Sequence, residues 1–122
     1  MSGRMVSDET LVRIAENQSR FREANERIEA AAESMQLVGP VPFVCECPDP
    51  QCTELVRMVL DEYEAIRAHE RRFFVVKGHE EISVSSGAAV FADGFDEQRY
   101  LVLEKIGLAG EIASDRYRNL AE

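Results

Sequence analysis

The sequence has no tryptophan, no proline before position 40 and no apolar run near the roughly 18 residues of a membrane span. Its start (Ser2, Gly3, Arg4, Ser7, Asp8, Glu9) also lacks the apolar core of a signal peptide. These absences read as a cytoplasmic protein with no membrane partner. Basic side chains are scarce: 14 Lys and Arg stand against 23 Asp and Glu, giving a formal charge of −9 over 122 residues. Nucleic-acid affinity comes mostly from clustered Lys and Arg, so this balance argues against a phosphate-backbone binder. The acidic excess runs along the whole chain without a basic arm, an acidic tail or an internal repeat. No G-x-G-x-x-G, P-loop or G-x-S-x-G motif occurs, nor the H-x-E and P-C-x-x-C of zinc deaminases, and the carboxylates form no identifiable acid–base pair. Cysteines number only three. They cannot all pair with one another, and a cytoplasm keeps them reduced, so a disulfide framework is excluded.

What is present suits one domain of α+β class. At 45% hydrophobic and 30% charged residues the chain can bury a core, but a chain of this size hides only about two-thirds of its unfolded surface, so an additional staple would help it. The four prolines (40, 42, 48, 50) mark one boundary at Gly39-Pro40-Val41-Pro42, where helix-compatible sequence gives way to strands and turns. This divides the chain into a long N-terminal helix within 1–38, a mainly antiparallel β domain with one short helix over 41–113, and a loose tail over 114–122.

Residues 9–38 read as the helix. Leu11, Gln18, Asn25 and Ala32 fall at heptad a, and Ile14, Phe21, Ile28 and Met35 at d. At about 1.5 Å per residue such a helix is about 45 Å long, more than the width of the domain the rest of the chain can build. The stripe therefore serves either a coiled-coil homodimer or protein partner through residues 11–35, or packing on its own domain with Gln18 and Asn25 at the edge. An amide at a fixes register by pairing across the interface.

Beyond the boundary the period changes to two. Val41, Phe43, Cys45 and Cys47 alternate with Pro42, Val44 and Glu46, presenting both cysteines on one strand face. Pro48-Asp49-Pro50-Gln51 is turn chemistry that returns the chain at Cys52. Leu55–Leu60 and Phe73–Val76 read as strands, with an Asp61/Glu64 capping pair opening a short helix between them. The stretch 80–98 is weakly patterned, with a short strand at Ala88–Phe91, and Tyr100–Leu103 is the last strand.

The chemistry lies in Cys45-x-Cys47-x4-Cys52, with His79 arriving at the end of a strand. Three thiolates and one imidazole are a standard structural zinc set, tetrahedral at about 2.0–2.3 Å. Thiolates disfavour magnesium, calcium and manganese, and the spacing is not that of an iron–sulfur cluster. His69 is the reserve fourth ligand, with Asp49 behind it. Four protein ligands leave no open position for a reacting water, whereas three thiolates alone would leave one. The expectation is thus a non-enzymatic module with a structural Zn2+, acting as an adaptor or regulatory protein. The alternative is a metal or redox sensor, or a small metalloenzyme, using the cysteine cluster.

The run Val41-Pro42-Phe43-Val44-Cys45-Glu46-Cys47-Pro48-Asp49-Pro50-Gln51-Cys52, with Leu60–Arg67, Arg72–Val76 and Gly78-His79-Glu80, resembles an uncharacterised family of small bacterial proteins, mostly from high-GC Gram-positives. The helix from Arg13 to Ile28 and the ending Tyr100–Ala113 look like the same family. The resemblance covers roughly three-quarters of the chain. It implies that the cysteines, the Gly-His-Glu turn and the last strand belong to one unit. Residues 81–98 depart from the pattern, so no site role is carried onto them.

Overall fold

The computed structural model describes residues 7–92, 99–108 and 110–114. Helix α1 (Asp8–Ser34) opens where the Ser7 hydroxyl accepts from the Thr10 N–H at 3.2 Å, with Asp8 and Glu9 complementing the positive helix end. It stops short of the expected residue 38. Gln36 adopts φ 54°, and the Leu37 N–H turns back to the Ala32 carbonyl at 3.0 Å. This left-handed stop is one that glycine usually supplies.

The remaining described elements are β1 (Val41–Val44), β2 (Leu55–Met58), α2 (Leu60–Arg67), β3 (Arg72–Val75), α3 (Glu81–Ser85), β4 (Ala89–Phe91) and β5 (Leu101–Lys105). β1 and β2 form an antiparallel pair with Val41 opposite Met58, and β3, β5 and β4 form a second antiparallel sheet in that order. The fold is α+β, a long N-terminal helix followed by antiparallel sheets and short helices. Helix α2 is capped two residues earlier than expected, the Val59 N–H donating to the Glu62 carboxylate at 3.2 Å in place of the Asp61/Glu64 pair. The weakly patterned stretch supplies α3 and β4, and its residues 93–98 lie outside the described residues. Residues 107–108 and 110–114 are helical, and Ser114, the first residue of the expected loose tail, is buried; 115–122 lie outside the described residues.

Two apolar clusters meet at β3, whose Phe73 and Phe74 are both fully buried. Phe74 belongs with Phe43, Tyr63 and Tyr100: Phe43 stacks on Tyr63 with ring centroids 4.3 Å apart, and Phe74 meets Tyr63 and Tyr100 edge-on at 6.3 and 6.0 Å. Phe73 belongs with Val75, Ala89, Leu103, Cys45 and Cys47.

Helix α1 lies on its own chain. Its buried side is Ile14, Ala15, Gln18, Ser19, Arg22, Asn25 and Ala32, while Met35 is 62% exposed beyond the helix end. Gln18 and Asn25 sit at the centre of the contact, not at its edge. Gln18 Nε2 donates to Ser83 Oγ at 2.8 Å, and the Arg22 guanidinium donates to the Glu70 carbonyl at 2.7 Å. At the far end of α1, Glu29 and Glu33 meet Glu64 of α2, with carboxylate oxygens within 4.8 Å of one another. Among the described residues, no helix is long and apolar enough to cross a membrane.

Candidate metal centre

The β1–β2 ladder ends at Val44, so Cys45 and Cys47 lie in the extended segment just past the strand. Cys45 keeps one more bond toward β2, its N–H donating to the Glu54 carbonyl at 2.9 Å. The Asp49 carboxylate accepts from the Gln51 N–H at 2.9 Å and the Asp49 carbonyl from the Cys52 N–H at 3.1 Å, which folds Cys52 back on the other two. On the opposite side, Gly78 at φ 100° makes the turn after β3 that an L side chain would strain. The His79 N–H closes that turn on the Val76 carbonyl at 2.9 Å.

These turns bring all four sequence-derived residues together. One ligand atom from each of Cys45, Cys47, Cys52 and His79 lies within 4.8 Å of the other three. His79 Nδ1 is 3.6 Å from Cys45 Sγ and 3.5 Å from Cys52 Sγ. An imidazole nitrogen has one lone pair or one hydrogen, and cannot serve two thiols well at once. A tetrahedral zinc with bonds of about 2.3 Å to sulfur and about 2.0–2.1 Å to nitrogen holds those ligands about 3.6 Å apart. The donor set fits the ion.

Neither reserve ligand joins the group. His69 Nδ1 accepts from the Arg71 N–H at 3.3 Å and its Nε2 faces Glu104 at 3.7 Å. Asp49 is spent on shaping the turn.

Cys45 and Cys47 are 1% and 2% exposed. The Cys45 thiol, with the Asp49 backbone N–H and His79, holds Cys47 well below the usual thiol range, at about 5. That anion, with burial, pushes Cys45 up, and burial pushes Cys52 up. The Val76 N–H donates to Cys45 Sγ at 3.3 Å, the kind of outer-shell bond that orients a thiolate ligand. A metal ion held here would displace the protons its thiol ligands carry. A cleft of about 410 Å³, walled by Pro48, Asp49, Glu81 and Ile82, reaches Cys47 and His79 from solvent.

Sequence reasoning missed the residue between the ligands. Glu46 is 1% exposed and points away from the cysteines into a polar knot. Its carboxylate accepts from Asn25 Nδ2 at 2.9 Å, Tyr63 OH at 3.2 Å and the Phe74 N–H at 3.2 Å, while its own N–H donates to the Phe74 carbonyl at 3.0 Å. Burial raises the Glu46 pKa, opposed by Arg22, Asn25, the Phe74 N–H and Lys105. Burial and this carboxylate together raise Tyr63. The available signal was the alternation itself, which turns residue 46 away from 45 and 47.

Comparison with protein-family models, with curated proteins and with solved structures returned no match for this chain.

Proposed function

We propose that the chain is a non-enzymatic zinc-binding module of the cytoplasm, with a structural Zn2+ held by Cys45, Cys47, Cys52 and His79. Helix α1 gives it an adaptor or regulatory role through self-association or a protein partner. The observation that carries this reading is the convergence of three thiols and one imidazole, with both Sγ–Nδ1 separations at 3.5–3.6 Å. Four protein ligands complete a tetrahedron and leave no position for a reacting water, which favours a structural ion over a catalytic one. A structural zinc contributes on the order of 10 kcal/mol of apparent binding free energy, comparable with the whole net stability of a domain. That is the staple a small core benefits from.

Elemental analysis of the purified protein tests the reading: about one zinc per chain is expected of a Cys3His site. Cys47→Ser, or chelation, is expected to melt the β region while far-UV circular dichroism retains helix signal. A fold indifferent to both would defeat the reading. Self-association through residues 11–35 competes with the chain's own use of Ile14, Gln18, Asn25 and Ala32. Light scattering of the zinc-loaded protein decides whether that stripe is shared.

A second reading, a sensor acting through the cluster, is favoured by the cleft that opens onto Cys47 and His79. Rapid alkylation of the cysteines in zinc-loaded protein would support it, and inert cysteines would count against it.

A further inference from the structure

Helix α1 grips both chain segments that carry the ligands. On the cysteine side, the Asn25 amide pairs with Val44 as a neighbouring strand would: Oδ1 accepts from the Val44 N–H at 2.7 Å and Nδ2 donates to its carbonyl at 2.8 Å. The same Nδ2 donates to Glu46 at 2.9 Å, and about two turns toward the N-terminus Asn17 Nδ2 donates to the Pro48 carbonyl at 2.8 Å. These contacts fall on residues 44, 46 and 48, interleaved with the ligands at 45 and 47. On the histidine side, Gln18 Nε2 reaches Ser83 Oγ at 2.8 Å, in the helix that begins two residues after His79. Asn25, Gln18 and Ser83 are all within about one per cent of full burial.

We infer that α1 is a brace for the metal centre: Asn25, Asn17 and Gln18 are positioning residues that hold the two ligand-bearing segments at the spacing the ion requires, and occupancy of the site in turn locks α1 onto the chain. The inference rests on the zinc reading above. Two events that favour one arrangement of the same atoms are thermodynamically coupled, and the coupling is reciprocal. If zinc favours the docked helix, the docked helix raises zinc affinity by the same factor. Loss of the metal then loosens a helix whose heptad stripe becomes available, so occupancy controls exposure of α1.

The test uses the full chain with zinc itself as the probe. Zinc affinity by chelator competition is measured for wild type, Asn25→Ala and Gln18→Ala, with cobalt(II) absorption as a report on ligand geometry. Val102→Ala, a core truncation on β5 that removes none of these α1 hydrogen bonds, controls for loss of stability alone. A group bonded directly to a ligand is worth about 10–100-fold in metal affinity; these amides act one residue further out, on Val44, Glu46 and Ser83, so both α1 variants are expected to bind zinc about tenfold more weakly and to shift the cobalt bands. Val102→Ala is expected to do neither. Amide exchange over residues 14–25 is expected to quicken when wild-type zinc is removed. Should Asn25→Ala fail to fold, Gln18→Ala and the exchange measurement still decide. Wild-type affinity in a folded α1 variant, an equal loss in Val102→Ala, or exchange in α1 indifferent to zinc would each overturn the brace while leaving the site standing. A wild type that binds no zinc would overturn both.

Discussion

Replacing Glu46 by glutamine keeps the shape of the side chain and changes only its hydrogen-bonding sense. Three donors converge on the two carboxylate oxygens, Asn25 Nδ2 and Tyr63 OH on Oε2 and the Phe74 N–H on Oε1. A glutamine NH2 must occupy one of those positions. If it lies toward Phe74, a backbone N–H at the centre of the core loses its acceptor; if it lies toward Asn25, two amide groups present hydrogens to each other. A buried donor left unsatisfied costs about 1–3 kcal/mol. Arg22 and Lys105, both buried and both attracted to Glu46, lose their anion as well. The gain from no longer desolvating a charge offsets part of this, leaving a net loss of about 2–4 kcal/mol against a typical 5–15 kcal/mol of total stability. With a urea slope of about 1.5 kcal/mol per molar, the unfolding midpoint of the zinc-loaded protein is expected to fall by roughly 2 M. Circular dichroism during urea titration measures it. A midpoint unchanged within about 0.5 kcal/mol would show that residue 46 is a neutral acid in the native chain, and the ionic description of the knot would be wrong.

Two further substitutions test other parts of the fold. A Cβ at Gly110 would meet Arg71 Nη1 and the Lys105 carbonyl oxygen, each at 2.8 Å; Gly110→Ala is expected to cost about 1–3 kcal/mol in thermal unfolding, and a neutral effect would refute the close approach. At the α1–α2 contact, burial and the carboxylates of Glu33 and Glu26 raise the pKa of Glu29, with Glu64 and Arg67 opposing. A raised folded-state pKa means the native chain binds the proton more tightly, so stability falls as pH rises from the unfolded value through the folded one. Glu29→Gln is therefore expected to stabilise the protein at pH 7.5 and to lose that advantage toward pH 4.5. An advantage that grows on acidification would reverse the assignment.

The parts of the structure legible in the sequence are those whose cause is local. The alternation over Val41–Cys47 located β1, the apolar runs Phe73–Val76 and Tyr100–Leu103 located β3 and β5, and Gly78 next to His79 marked a turn. The three cysteines and His79 were identifiable because soft donors clustered near proline turns have few other uses. Asn25 was visible as a polar interruption of an apolar stripe, but its partners, Val44 and Glu46, lie 19 and 21 residues away, and heptad logic assigns such an amide to a second helix with equal ease. The end of α1 was set by Gln36 entering the left-handed region, a conformation with no sequence signature at glutamine, while Gly39 nearby looked like the stop. The constraint on Gly110 left no local mark in the sequence, because the atoms that forbid a side chain there belong to β5 and to Arg71.

The interleaving of ligands and helix contacts along residues 44–48 also bears on which lengths of chain this fold can tolerate. An extended backbone turns its side chains over with every residue, so adding or removing one between Cys45 and Cys47 would exchange the two sides. A thiol would then face the Asn25 amide, and a carboxylate would enter the sulfur cluster. Beyond the Pro48 carbonyl taken by Asn17 and the Asp49 N–H near Cys47, the turn through Gln51 carries no such parity, because it serves to return the chain. Lengthening of the protein near this site is therefore expected to be absorbed between Cys47 and Cys52, with the single-residue gap between the first two cysteines held fixed.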